Sequence, residues 1–164
     1  MLHFLCDVLL LCLLVQISLC DIRTMRIPDR LNLAVLLLGI GRQAVFALCE
    51  YGTAPGGGCP DGLPAGLLLF AGGVLGGLLA AALPMYLVAV AFPGSLGGGD
   101  IKLAAATGVS LGAGGVLRGT GAGVVAAGIY AAGCLLLHKK TARQTFPLGP
   151  FLAAGYMYQI ICSS

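Results

Sequence analysis

The feature that most constrains the fold is a run of 30 residues, 63–92, that contains no charged side chain. A helix needs about 20 predominantly apolar residues to cross the hydrocarbon core of a bilayer. The run is long enough for one such helix but too short for two, which would need about 40 residues. Because only 9% of the chain is charged and 59% is hydrophobic, the sequence predicts an integral membrane protein.

Five further apolar segments complete a predicted all-α bundle of six transmembrane helices. The predicted helices cover about 2–20, 30–48, 63–92, 99–117, 120–137 and 148–162. We expect the third helix to bend at Pro84. The Gly- and Pro-rich segment 50–62 predicts the loop before it. Asp29, directly after Pro28, is expected to cap the second helix.

The basic residues predict the topology of this bundle. Seven of the nine Lys and Arg residues fall in three connections that share one side of a six-span protein. The positive-inside rule makes that side cytoplasmic and places both termini outside, so we expect a multi-pass protein of the cytoplasmic membrane. The net charge of +3 is small and argues against a nucleic-acid partner. None of the seven cysteines forms a CxxC pair, but Cys49 and Cys59 would form a disulfide if their loop faced an oxidising space.

Two aspartates lie at the predicted cytoplasmic boundary. Asp21 closes the first apolar run, and Asp100 follows three glycines, Gly97, Gly98 and Gly99. Carboxylates are costly in so apolar a chain, which makes both acids functional candidates. Two neighbouring carboxylates cannot easily both ionise, so one keeps its proton while the other can deprotonate a water molecule. The glycines would let a substrate backbone approach closely, and the pattern predicts an aspartyl protease site.

Structural explanations remain open for the same residues. Asp100 could cap the fourth helix, and Asp21 could be an interfacial polar residue. Lys102 fits a positive-inside residue that could also lower the pKa of a neighbouring carboxylate. The alternative function is a small transporter subunit or a membrane assembly scaffold without proteolytic activity, because glycine-rich spans and buried charges also suit transport. Transport sites tend towards the bilayer midplane, whereas both acids are expected at one edge.

Three motifs along the chain share their order and spacing with a known family. They are Asp21 with Arg23, Arg26, Ile27 and Pro28; Gly97, Gly99, Asp100, Lys102 and Leu103; and Pro147-Leu148-Gly149-Pro150-Phe151-Leu152. In these residues the chain resembles the short form of the type IV prepilin leader peptidase family. The resemblance implies a six-helix membrane aspartyl protease of the GxGD type, with Asp21 and Asp100 as its catalytic pair. We expect substrate-binding or site-supporting roles for Gly97, Gly98, Gly99, Lys102, Pro28, Pro147, Gly149 and Pro150.

The resemblance carries expectations about substrate and domain content. It implies cleavage of a prepilin or pseudopilin with a basic, glycine-ended leader and an apolar helix, without a metal or organic cofactor. Asp29 stands where the family often has Asn. Longer members carry an N-terminal region with paired cysteines that is linked to N-methylation. We therefore expect residues 1–164 to form a single protease domain without a methyltransferase region and without S-adenosylmethionine binding.

A further prediction concerns two charges far from these motifs. Arg42 lies about 18 Å along the second helix from Arg30, and Asp7 lies about 21 Å along the first helix from Asp21. Both are therefore at similar depth in adjacent antiparallel helices. An unpaired charge there is costly, so we predict an ion pair between Asp7 and Arg42. The alternative is that Arg42 extends towards an interface.

Overall fold

The structure is a computed structural model that describes residues 2–24, 27–53, 62–92, 96–136 and 148–163. Within these ranges the regular structure is helical, with α1 (Leu2–Thr24), α2 (Asp29–Thr53), α3 (Gly62–Ala91), α4 (Gly98–Leu136) and α5 (Gly149–Ser163). Three segments are long and apolar enough to cross a membrane: Leu5–Thr24, Asp29–Ala47 and Phe70–Ala91. The predicted all-α membrane protein is confirmed, whereas the count of six spans is not supported.

Most predicted helices are present with shifted ends. α1 continues to Thr24, so Asp21 lies in its last turn rather than after it. The Thr24 hydroxyl donates to the Cys20 carbonyl at 2.8 Å within that turn. α2 extends to Thr53, α3 passes through Pro84 as a single helix, and α5 matches the predicted sixth helix closely. Cys49 and Cys59, which could form a disulfide only in an oxidising space, and the basic connection 138–146 involve side chains outside those that the structure describes.

The predicted boundary between the fourth and fifth helices, near residues 118–119, is wrong. α4 is helical there, and its backbone instead departs from helical geometry at Gly112, with φ 71° and ψ 171°. Arg118 lies within the helix, where its Nε donates to the carbonyl of Gly114, one helical turn earlier, at 3.2 Å. Gly119 faces the backbone of Gly155, whose carbonyl oxygen would lie 3.2 Å from a Cβ at Gly119. Gly119 therefore serves the packing of α4 against α5.

α4 consists of two arms, 98–111 and 113–136, that lie side by side. The Tyr156 hydroxyl hydrogen-bonds with the Thr120 hydroxyl at 2.9 Å and also lies close to the Thr107 side chain. In one straight helix Thr107 and Thr120 would be about 20 Å apart, so a single hydroxyl could not reach both. The chain therefore reverses at Gly112, where the positive φ is readily adopted by glycine.

The core lies where α4 meets its neighbours. α4 packs against α2, α3 and α5, while α1 packs against α2 and α5. α1 contributes a buried stripe at helical spacing, Leu10, Leu14 and Ile17. α3 and α4 approach most closely at Gly77 and Gly108, where a Cβ on either residue would overlap the other's carbonyl oxygen. Large apolar side chains also cover the outside, among them Leu68, Ile129 and Ile161, as expected for a surface in contact with lipid.

Candidate active site

The first predicted acid, Asp21, lies in the last turn of α1 on its buried face. It continues the stripe formed by Leu10, Leu14 and Ile17 and is only 6% exposed. The backbone N–H of Gly149, the first residue of α5, donates to Asp21 Oδ2 at 3.1 Å. The first N–H groups of a helix lack partners within it, and the helix dipole is positive at that end. The start of α5 is therefore a favourable environment for this carboxylate.

The second predicted acid, Asp100, lies in the first turn of α4. The Gly97 carbonyl accepts hydrogen bonds from the backbone N–H groups of Asp100 at 3.1 Å and Ile101 at 3.4 Å. Gly97 is thus the N-cap residue, and Asp100 is the third helical residue. The Asp100 carboxylate lies near the Gly97 N–H, which opposes the rise in its pKa, in the position of the acidic side chain of a capping box. Asp100 therefore assists the start of α4 without occupying the cap position itself.

One cleft of about 320 Å³ brings the two acids together. Its lining consists of Asp21, Ile27, Asp29, Gly97, Gly98, Gly99 and Asp100. A Cβ placed on Gly98 would meet no atom within 4 Å, whereas one on Gly99 would lie 3.2 Å from the Ile27 side chain. The glycine turn, residues 97–99, thus packs on Ile27 at Gly99 and leaves open space at Gly98, next to the acids.

The charges in this cleft favour a proton held between the acids. Asp100 lies outside the three candidate spans, and its pKa is raised from 3.8 to about 6, first by burial and then by the negative charge of Asp21, against the opposing effect of the Gly97 N–H. Within the described part of the chain, neither acid forms a salt bridge. Two acids that share a site without a cation are suited to hold one proton between them.

The predicted site residue Lys102 pairs with a third acid. Its Nζ lies 2.8 Å from Asp29 Oδ1, and the two side chains are 60% and 75% exposed. The prediction that Asp29 caps α2 is wrong, because the Pro28 carbonyl accepts the bonds from Leu31 and Asn32. Pro28 is therefore the N-cap residue and Asp29 the first helical residue.

The third motif borders the cleft through Gly149. The Leu148 carbonyl accepts from the N–H groups of Phe151 and Leu152, so Pro150 lies in the first turn of α5 as predicted. A Cβ at Gly149 would come within 2.6 Å of Asp21 Oδ2. The absence of a side chain at Gly149 therefore allows the Asp21 carboxylate to reach the backbone of α5. Pro147 lies outside the described residues.

Sequence reasoning missed Asn32, a buried residue that contacts the glycine turn. Asn32 is 5% exposed, and its Nδ2 lies 3.5 Å from the Gly99 carbonyl oxygen. Its Oδ1 is buried without a hydrogen-bond partner in the described structure. The available signal was an amide side chain one turn after Asp29 in an otherwise apolar helix, because polar residues within membrane helices are costly.

The predicted ion pair between Asp7 and Arg42 is confirmed. Arg42 Nη1 lies 2.9 Å from Asp7 Oδ1, and the two side chains are 21% and 13% exposed. No hydrogen bond of good geometry accompanies this contact at Asp7 Oδ1, so the attraction is ionic. The pair lies far from the cleft along α1.

Comparison with known proteins identifies a family for the chain. Among the described residues, no three His, Cys, Asp or Glu side chains converge as ligands of a metal ion would. No curated protein and no solved structure shows a significant match to the chain. The sequence model of the type IV leader peptidase family matches residues 8–137, a range that includes Asp21, Asp100 and the glycine turn. The chain therefore belongs to the type IV leader peptidase family.

Proposed function

We propose that the protein is an aspartic endopeptidase that cleaves the leader of type IV prepilin or prepilin-like proteins at the cytoplasmic face of the membrane. The observation that carries this proposal is the shared cleft of Asp21 and Asp100, two acids that are 79 residues apart in the sequence. Family membership supports leader-peptidase activity in general. The positions of both acids at helix ends favour a protease over a transporter, whose site is expected nearer the midplane.

In the proposed mechanism, Asp21 and Asp100 bind a water molecule and share one proton. The ionised carboxylate takes a proton from the water molecule while the water oxygen attacks the carbonyl carbon of the scissile peptide bond. The protonated carboxyl gives its proton to the oxygen of that carbonyl. When the resulting diol collapses, one hydroxyl returns its proton to the pair, the amine nitrogen takes a proton, and the C–N bond breaks. The raised pKa of Asp100 supports a proton held by the pair near neutral pH, and this proton belongs to the pair rather than to one residue. The Gly149 N–H holds the Asp21 carboxylate in position.

The proposed orientation keeps the predicted topology of six crossings with both termini outside. That topology requires the two arms of α4 as the fourth and fifth crossings, although the arm 98–111 is shorter than the stretch of about 20 residues that crosses a bilayer of ordinary thickness. The ends of α1, α2 and α4 that line the cleft would then face the cytoplasm, together with Arg23, Arg30 and Lys102. A substrate with a basic, glycine-ended leader would present its scissile bond at this face while its apolar segment stayed in the bilayer.

Co-expression with candidate prepilins tests this function, with cleavage read as a shift in gel mobility. We expect Asp100→Ala and Asp21→Ala to reduce cleavage by at least about a thousandfold, as for other groups that act as a unit in catalysis, while membrane insertion and protein yield stay unchanged. Full cleavage by Asp100→Ala would contradict the mechanism. Asp29→Ala tests the third acid that lines the same cleft. If Asp29→Ala lost cleavage while Asp21→Ala kept it, Asp29 rather than Asp21 would be the partner of Asp100.

A further inference from the structure

A second recess adjoins the cleft that holds the two acids. This recess, the α2–α4 groove, has a volume of about 380 Å³ and lies between α2, α3 and α4. Its mouth is formed by Asp29 and Lys102, and its walls include Asn32, Leu36, Leu78 and Ala105. Asp29 lines both the groove and the cleft. The groove and the cleft therefore meet at Asp29, and the groove extends from there along α2.

Among the described residues that line this groove, Asn32 is the one with an amide side chain, and the oxygen of that amide has no hydrogen-bond partner there. The Gly99 carbonyl can only accept, so the Asn32 amide nitrogen must face it, at 3.5 Å. The other amide atom, Oδ1, therefore points away from the glycine turn and has no partner in the described structure. Buried acceptors in folded proteins are nearly always satisfied. A donor from outside the protein would satisfy this one.

The ion pair of Asp29 and Lys102 lines the same groove as Asn32 and does not hold the groove closed. Asp29 and Asn32 are three residues apart on α2 and share one face of the helix. The Asp29 and Lys102 side chains are 75% and 60% exposed, and ion pairs so exposed to solvent contribute little to stability. A chain that enters the groove can therefore displace the pair at small cost and reach Oδ1.

We propose that the α2–α4 groove binds the substrate segment that follows the scissile bond, and that Asn32 Oδ1 accepts a hydrogen bond from a backbone N–H of that segment. This inference rests on the proposed function, because the occupant is the substrate of Asp21 and Asp100. From Asp29 to Leu36 the groove follows about 10 Å of α2, which is room for about three residues of extended chain. Its apolar walls fit the start of a membrane segment, while a basic leader stays on the solvent side of the cleft.

Peptide substrates that each lack one N–H test the contact directly. Purified protein in detergent is assayed with peptides in which one amide after the scissile bond is replaced by an ester, which removes the donor and keeps the side chain. For the wild-type protein, an ester at one of the first three positions should lower kcat/KM about three- to tenfold, the range of a single hydrogen bond. In Asn32→Leu, the all-amide peptide should show a similar loss and the ester no additional loss, as in a double-mutant cycle for direct partners.

Ser110→Ala is the matched control. The Ser110 hydroxyl is also buried without a partner in the described structure but lines a different recess, beside Arg42. This variant should keep the full ester effect. The inference is overturned if no ester position changes kcat/KM in the wild-type protein, or if the ester effect persists undiminished in Asn32→Leu. A wild-type protein that cleaves none of the peptides would instead defeat the proposed function.

A second measurement does not require Asn32→Leu to fold. In Asp100→Asn protein, a photo-crosslinking residue placed at Ala105, on the wall of the groove, should attach to the peptide after its scissile bond. Capture of detergent or lipid alone, undiminished by excess peptide, would show that the groove takes an acyl chain and would overturn the inference.

Discussion

Two buried acids on the same face of α1 have opposite surroundings. Asp7 and Asp21 lie about 21 Å apart along the helix, at the two ends of one buried stripe. Asp7 meets the Arg42 guanidinium at 2.9 Å, whereas Asp21 meets the Gly149 N–H and shares its cleft with Asp100. Burial alone therefore does not identify a reactive acid in a membrane protein. The acid with a cation joins two helices through an ion pair, and the acid without one is, in the proposed function, available for proton transfer.

The largest expected effect comes from removing the ion pair between Asp7 and Arg42. Asp7→Asn would leave Arg42 without a counter-charge and should lower the free energy of unfolding by about 3 kcal/mol. The double change of Asp7→Asn with Arg42→Gln should recover most of that loss, because no unpaired charge remains. Thermal unfolding in detergent and folded yield measure both effects. Equal losses in the single and double variants would contradict a stabilising role for the pair, and the folded fraction of Asp7→Asn should still cleave substrate.

At the unpaired end, Gly149→Ala should reduce activity with little change in stability. The new Cβ would displace the Asp21 carboxylate from the start of α5, and a catalytic group misplaced by about 1 Å can cost roughly a hundredfold in rate. Cleavage assays on the purified variant check this, alongside its unfolding temperature. Gly121→Ala is the control, because a Cβ at Gly121 meets no atom within 4 Å. Unchanged cleavage by Gly149→Ala would show that Asp21 does not need its present position.

The pH dependence sharpens the same contrast. Because the pKa of Asp100 is raised to about 6, kcat/KM should fall about fivefold between pH 6 and pH 7 as the shared proton is lost. The midpoint of that fall belongs to the pair of acids rather than to one residue. A rate that stays flat from pH 5 to pH 8 would contradict a shared proton.

Stability should follow pH with a sign set by the same shift. The folded state binds the Asp100 proton more tightly than the unfolded chain does, so stability should decrease as the pH rises from about 4 to about 6. Asp100→Asn should lose this component of the pH dependence, which unfolding temperatures across that range would reveal.

The smallest effect is expected at the exposed pair. Lys102→Gln or Asp29→Asn should change the free energy of unfolding by less than about 1 kcal/mol, because both side chains are largely in solvent. Added salt should reduce even that difference. Unfolding measured at low and high NaCl concentration is the check, and a loss above about 2 kcal/mol would mean that the pair has a structural role comparable to that of Asp7 and Arg42.

The sequence predicted the features that depend on local composition or on depth in the membrane. Uninterrupted apolar runs placed α1, α2, α3 and α5, and helical rise placed Asp7 and Arg42 at matching depth. The break at Gly112 could not be found in this way. Glycine occurs at six positions between residues 112 and 123, and nothing in the local pattern distinguishes the one with a positive φ from those that pack against α5.

Contacts between segments that are distant in the sequence could not be predicted either. The position of Asp21 depends on the Gly149 N–H, 128 residues away, and Asn32 meets Gly99 across 67 residues. The resemblance to a family indicated that the Gly149 motif borders the site, but the hydrogen bond itself depends on how α1 and α5 pack. Asn32 belongs to none of the three motifs, and only the structure shows that its Oδ1 is buried without a hydrogen-bond partner among the described residues.

The contact of Gly77 with Gly108 fixes the height of Asp100 relative to α3. Gly108 follows Asp100 by eight residues on the same arm of α4, about 12 Å, and it touches α3 backbone to backbone. Neither glycine has a side chain, so replacing side chains at this contact is not a way to shift α4 along α3. A variant adapted to a thicker or thinner bilayer would thus have to change the lengths of the segments beyond this contact.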